Sequence, residues 1–125
     1  MSEKHGSAAE MTFVSEWDLS TKQYRAVVQG SGDQKVIVAS QAGDGPVIGI
    51  VQNKPESGQA ARVAMFGPTK MTAGAAITRG AVLRATATGF VTTGNSGYTV
   101  GIALESANSG SAFMGIVTAA AQATA

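Results

Sequence analysis

The residues able to perform acid-base or nucleophilic chemistry are few and widely separated in this sequence. The single histidine, His5, lies in a small, polar N-terminal stretch, whereas a Ser-His-Asp or Cys-His site needs an imidazole held rigidly beside its nucleophile. Asp33 and Asp44 lie in glycine-rich loops and could form an acid-base pair, but Asp and Gly are also the ordinary residues of tight turns. We therefore predict no catalytic residue and no enzymatic activity.

The glycine-containing segments that could bind phosphate lack the rest of the known motifs. Gly30-Ser31-Gly32 has no third glycine, and Gly67-Pro68-Thr69-Lys70 lacks the Gly-Lys-Ser/Thr ending of a phosphate loop. Cysteine is absent, and Asp44-Gly45 supplies too few oxygen ligands for a calcium loop. We predict no cofactor and no metal site, although a metal held by residues distant in sequence stays open.

Composition favours a single β-rich domain. The 125 residues fit one domain, and the 16 glycines together with many Ala, Thr, Ser and Val are typical of strands and turns. The net charge is +1, and the nine Lys and Arg are scattered between Lys4 and Arg84, which argues against nucleic-acid binding. No apolar run is long enough to span a bilayer, and the start lacks the apolar stretch of a signal peptide, so we expect no membrane partner and synthesis in a cytoplasm.

The C-terminal third is almost free of charge. After Arg84, Glu105 is the only charged side chain. Such a stretch is either a solvated sheet rich in Thr and Ser or a surface covered by another subunit. We favour the second interpretation, because three large apolar residues cluster there, and we predict an oligomer interface at Phe113, Met114 and Ile116.

One segment occurs twice, fifty-two residues apart. Gly45-Pro46-Val47-Ile48-Gly49-Ile50 returns as Gly97-Tyr98-Thr99-Val100-Gly101-Ile102. The same offset aligns Ser57-Gly58-Gln59-Ala60 with Ser109-Gly110-Ser111-Ala112, and Val38-Ala39-Ser40 with Phe90-Val91-Thr92. The repeat contains strands, glycines and turns but no shared reactive side chain. It therefore predicts a duplicated architecture, in which Gly49 and Gly101 occupy equivalent crowded strand positions.

The spacing of apolar runs and turn residues predicts an all-β fold, a small β-sandwich or barrel-like domain. We expect an extended N-terminal arm over residues 1–23, a β domain over residues 24–118 and a small-residue tail over residues 119–125. Strands are predicted from the alternating or continuous apolar stretches, with Gly67-Pro68 ending the one that starts at Ala60. The segment Lys70–Ala76 fits either a short strand or one helical turn.

Part of this sequence resembles a known protein family. The runs Gly74–Leu83, Ala87–Val91 and Val100–Glu105, with Ser109-Gly110, are similar to the head-decoration, or capsid cement, proteins of tailed bacteriophages, over roughly residues 24–118. The resemblance implies a compact β domain that assembles as a homotrimer on the capsid exterior. It implies the major capsid protein as partner, the virion as location, the host cytoplasm as the place of synthesis, and stabilisation of the shell as function.

The segment before Tyr24 holds the candidate capsid-binding residues Met11, Phe13, Val14 and Trp17. Large apolar side chains on an extended arm are typical anchors for a partner's groove, although a lone tryptophan is also often a core residue. The alternative function is a β-sandwich module of a virion that binds carbohydrate or a receptor. The small number of aromatic residues disfavours that alternative.

Overall fold

A computed structural model describes residues 9–39, 46–85, 91–93 and 99–118. Within these ranges the chain forms strands and turns and no helix. The strands in chain order are β1 (Ala9–Ser15), β2 (Ala26–Gln29), β3 (Lys35–Val38), β4 (Val47–Val51), β5 (Ala60–Thr72), β6 (Val82–Ala85), β7 (Val91–Thr92), β8 (Thr99–Ala103) and β9 (Ala112–Val117). The all-β fold class is confirmed.

The first five strands close on themselves. β1 pairs with the first half of β5 in antiparallel orientation, with Phe13 opposite Ala61, and with β3 in parallel orientation, with Ser15 opposite Val36. The remaining pairs, β3–β2, β2–β4 and β4–β5, are antiparallel. Every strand of this set thus has two neighbours, and the set forms a small barrel. We call it the first barrel.

The second half of β5 starts a second barrel. Residues Gly67–Thr72 pair with β9, which continues through β8 and β6 to β7. A parallel bridge between Ala73 and Val91 closes this set, as the parallel β1–β3 pair closes the first one. β5 therefore belongs to both barrels and joins them.

The sequence-based end of β5 at Gly67-Pro68 was wrong. The strand continues to Thr72, because Gly67 adopts φ 109° and redirects the chain from its partner β1 to its partner β9. A glycine accepts this left-handed conformation at little cost. What looked like a strand end is the point at which one strand passes from the first barrel to the second.

The duplication appears in the strand register. Val27 pairs with Gly49 and Leu83 with Gly101, and in both barrels the register shifts directly after this pair. Gly58 and Gly110 turn the chain at equivalent places with φ of 87° and 85°. Further upstream the offset of fifty-two residues is no longer kept. Val36 pairs with Gln29, and Val91 pairs with Ala85, the residue equivalent to Gln29. Val36 and Val91 are therefore equivalent although they are not fifty-two residues apart. The predicted match of Val38-Ala39-Ser40 with Phe90-Val91-Thr92 is therefore displaced.

Each barrel has an apolar interior. The interior of the first barrel contains Phe13, Leu19, Val27, Val36, Val38, Val51, Ala61 and Val63. The second cluster contains Met71, Ala73, Ile77, Leu83, Ala85, Val91, Val100, Ala103, Phe113 and Val117, and residues Ala26, Val28, Ala39, Val47 and Ile50 of the first barrel join it. Because residues of the first barrel complete the second cluster, the two barrels pack into one body. Fully burying one such Val, Leu or Ile side chain stabilises the fold by about 1.5–3 kcal/mol.

Residues 9–23, which the sequence assigns to an extended arm, are part of this body. Residues 9–15 are extended, but they form β1 and pair along their length with β5. Leu19 is fully buried, and its backbone N–H donates to the Pro55 carbonyl at 2.8 Å. The boundary drawn at residue 23 therefore does not separate residues 9–23 from the first barrel.

Candidate functional site

The C-terminal end of β1 is held by a carboxylate. Glu16 Oε1 accepts hydrogen bonds from the backbone N–H groups of Ser31 at 2.8 Å and Gly32 at 3.3 Å, and Glu16 Oε2 accepts one from the Ser31 hydroxyl at 2.8 Å. The Ser31 hydroxyl, and then its backbone N–H, lower the pKa of Glu16 below its ordinary value. An ionised Glu16 thus ties the end of β1 to the loop between β2 and β3.

Trp17 follows on a turn with its own restraints. The Ser15 hydroxyl donates to the Trp17 carbonyl, and the Asp18 carboxylate accepts from the Ser20 backbone N–H at 3.0 Å. That backbone hydrogen bond is the main reason why the pKa of Asp18 is lowered. The turn then buries Leu19 completely, while Trp17 stays 44% exposed. Trp17 is therefore presented from a defined turn.

The four candidate capsid-binding residues do not share one face. Met11, Val14 and Trp17 are exposed, whereas Phe13 is only 8% exposed and packs in the interior of the first barrel opposite Ala61. Side chains alternate along a strand, so Phe13 faces the core. Phe13 is a core residue, and Met11, Val14 and Trp17 are the members of this set that a partner can reach.

β1 also has an open edge. β5 pairs with β1 from Ala9 to Val14, but on the other side β3 pairs only with Val14 and Ser15. Among the described residues, nothing pairs with that side of residues 9–12. An apolar groove along the C-terminal half of β1 reaches the start of this edge at Thr12, and its lining consists of Thr12, Phe13, Val14, Gln34, Gly58 and Ala60. Open strand edges of this kind accept further strands.

The three residues of the predicted oligomer interface also lie on two opposite faces of their strand, because side chains alternate along β9. Phe113 is 2% exposed and lies in the core of the second barrel, so it is not a surface contact. Met114 and Ile116 are half-buried and face outward. Three exposed apolar residues nearby were not predicted from the sequence: Val82, Ile102 and Leu104. The alternation of buried and exposed positions along β8 and β9, applied to the repeat, could have identified them.

Glu105, the one charged side chain after Arg84, has a structural role. Its Oε1 accepts a hydrogen bond from the Met114 backbone N–H at 2.9 Å. At the equivalent position of the first barrel, Asn53 Oδ1 accepts from the Arg62 backbone N–H at 3.0 Å. Glu105 and Asn53 therefore accept hydrogen bonds from equivalent backbone N–H groups of the two repeats. Glu105 also lines a shallow groove with Lys70 and Met114.

Of the sequence-based candidates for catalysis and metal binding, Asp33 lies within the described residues. Asp33 is exposed in the loop between β2 and β3, and His5 and Asp44 lie outside the described residues. In the described ranges, no group of three His, Cys, Asp or Glu side chains could hold a metal ion. No helix among those residues is long and apolar enough to cross a membrane.

Comparison with known proteins agrees with the fold and identifies the family. A solved structure, the head fiber gp8.5 N base of bacteriophage phi29, matches with a TM-score of 0.70 and 18% identity, over 90% of this chain and 95% of that chain. At this identity the likeness shows a shared fold. No curated protein sequence matches this chain. A family model described as phage cement protein matches residues 10–124, nearly the whole sequence, and the chain therefore belongs to the phage cement protein family.

Proposed function

We propose that this protein binds the outside of a phage capsid as a homotrimer and stabilises the shell. Its family makes it a structural phage protein associated with the virion. The proposed partner is the major capsid protein, and the proposed mechanism is mechanical. Each subunit makes a modest contact, and joining subunits raises the effective concentration of the other contacts, so that weak interfaces together hold firmly.

The observations that carry the capsid contact are the exposed apolar residues of the β1 region, of which Met11 and Val14 lie on opposite faces of the strand, and the open edge of β1. Met11, Val14 and Trp17 are apolar and exposed, on or next to a strand whose residues 9–12 have a neighbour on one side only. Glu16 and Leu19 fix the turn that carries Trp17. A partner would therefore meet a preorganised surface, which reduces the entropy lost on binding.

The first test is binding to capsids that lack decoration, measured by co-sedimentation. We expect Trp17→Ala to weaken binding about tenfold, because burying the exposed part of the indole is worth about 1.4 kcal/mol. Phe66→Ala is the matched control, since Phe66 is another exposed aromatic and lies on β5 opposite Ala9, at the end of β1 far from Trp17. Equal binding by wild type and Trp17→Ala would remove Trp17 from the contact.

A second pair of variants tests whether the partner adds a strand to β1. The Val14 N–H donates to Gln34, away from β5, whereas the Ser15 N–H donates to Gln59 beside β5. By the same alternation, the N–H of Thr12 points to the open side. Thr12→Pro removes this donor and should abolish attachment while the fold persists, because proline is tolerated on an open edge. Thr12→Val keeps the donor, and indistinguishable binding by the two variants would exclude backbone pairing at this edge.

A further inference from the structure

The two barrels carry equivalent rows of outward-facing residues. In the first barrel the row crosses β2, β4 and β5 at Ala26, Ile50 and Ala64. In the second barrel the corresponding row crosses β6, β8 and β9 at Val82, Ile102 and Ile116. The neighbouring residues along these strands face the barrel interiors, so both rows face away from the interior of their own barrel.

The two rows differ in burial. All three residues of the first row are 0% exposed, and Ala26 and Ile50 belong to the cluster that includes the core of the second barrel. The second barrel thus covers the outer face of the first. In the second row, Val82 is 48% exposed and Ile102 is 42% exposed. Nothing within the described chain covers this row as the first row is covered.

The second row is apolar although it is exposed to solvent. It extends to Pro68 of β5, which lies opposite Ile116, and Leu104 and Met114 lie next to it. None of these residues is charged. A continuous apolar face on a small domain is typical of an interface. In the first barrel the residue equivalent to Pro68 is Glu10, which pairs with Ala64. Glu10 is charged and forms an ion pair with Arg62 at 3.3 Å.

We infer that the face formed by Pro68, Val82, Ile102 and Ile116 binds a second copy of this chain. The inference rests on the oligomer in the proposed function and names the surface that forms it. The chain itself provides the precedent, since the equivalent row of the first barrel is buried by another repeat of the same sequence. Because the face is uncharged, identical copies meet without repulsion between like charges. In the proposed homotrimer this face contacts a different surface of the next copy, and a three-fold rotation closes these heterologous contacts into a ring.

The test is the mass of the protein in solution by light scattering. The wild type should have a mass of about 38 kDa, which is three times the 12.6 kDa of one chain. Ile102→Asp places a charge in the middle of the row and should reduce the mass to that of one chain. Ile102→Thr keeps the branched shape and should raise the dissociation constant at least tenfold. Ala60→Asp, an equally drastic change on the exposed start of β5, should leave the mass unchanged. Circular dichroism and melting show that each variant is folded.

The outcomes separate this inference from the proposed function. A monomeric wild type at tens of micromolar would overturn the inference, and so would an oligomer that Ile102→Asp leaves intact. Co-sedimentation with capsids is measured on the same samples. If Ile102→Asp loses capsid binding without a change in mass, the capsid covers this face and the inference is wrong. If the row controls the mass but no form of the protein binds capsids, the face is confirmed and the capsid function fails.

Discussion

Adding one methyl group at Gly49 or Gly101 tests the duplication directly. A Cβ atom built on Gly49 would lie well under 3.0 Å from the Ala64 carbonyl oxygen, and one on Gly101 would lie equally close to the Ile116 carbonyl oxygen. Ala64 and Ile116 are themselves equivalent residues, paired with Ile50 and Ile102. Because both partners are backbone, no side-chain rotation relieves the clash. The strands themselves must separate.

The expected loss follows from this geometry. Overpacking costs about 1–3 kcal/mol, and weakening one hydrogen bond between strands adds about 0.5–1.5 kcal/mol. Replacing glycine by alanine offsets this loss by about 0.4–1 kcal/mol, because it lowers the conformational entropy of the unfolded chain. We expect Gly49→Ala and Gly101→Ala each to lower the free energy of unfolding by about 2–3 kcal/mol, which corresponds to a drop of roughly 10 °C in melting temperature.

Urea unfolding followed by far-UV circular dichroism, at one fixed protein concentration, measures these losses. Gly58→Ala is the control, because Gly58 has φ 87° but nothing within 4 Å of its added Cβ. It should lose only about 1 kcal/mol, from backbone strain alone. If Gly49→Ala and Gly101→Ala are no less stable than this control, the clash is not real. If only one of them is destabilised, the two barrels are not equivalent at this position.

Two further substitutions test local features. Glu16→Gln should destabilise the protein at pH 7. Since hydrogen bonds from Ser31 lower the folded-state pKa of Glu16, its contribution exists above the unfolded pKa and is lost as the pH falls through the folded one. The stability difference between wild type and Glu16→Gln should therefore shrink below about pH 4, and a difference independent of pH would contradict this. Tyr24, with φ 66°, occupies the place that Gly80, with φ 89°, holds in the second barrel. Tyr24→Gly should accordingly be about 1 kcal/mol more stable than Tyr24→Ala in urea unfolding, and equal stabilities would mean that the left-handed backbone carries no strain.

Local signals in the sequence were enough to locate several strands. β4 is a continuous apolar run between turn residues, and its counterpart β8 follows from the repeat. The close backbone contacts of the equivalent glycines Gly49 and Gly101 were also predictable, because a glycine inside an apolar strand indicates close backbone approach. These features depend on residues near each other in sequence.

Features that depend on distant pairing were not predictable in the same way. β1 is a strand of the first barrel because β5, some fifty residues later, pairs with it, and nothing within residues 9–15 indicates that partner. β5 runs through Gly67-Pro68 because β9 continues the ladder where β1 ends. A Gly-Pro pair usually ends a strand, so local turn chemistry favoured the wrong boundary.

The candidate sites show the same limit on a smaller scale. Phe13 and Phe113 are both large, apolar and close to exposed apolar residues in sequence, which made them plausible contacts. Their neighbours Val14 and Met114 lie one residue further and therefore on the opposite face of the strand. Which face of the strand is directed toward the barrel interior depends on how the sheet closes. Once the barrel is known, Phe13 and Phe113 belong to the cores, and the adjacent residues belong to the surface.

The duplication also explains how one small chain could have two different interfaces. Interior positions of the two barrels stay apolar but differ in size, since Phe13 lies opposite Ala61 in the first barrel and Met71 lies opposite Phe113 in the second. The outer positions differ in character, because the first barrel has an open strand edge beside Trp17 and the second has an uncovered apolar row around Ile102. Core packing maintains the shared fold, whereas outer residues can change without loss of the barrel. Since the two surfaces belong to different repeats, substitutions at Trp17 and at Ile102 can impair attachment and self-association separately, and the additivity of their effects measures how strongly the two interfaces depend on each other.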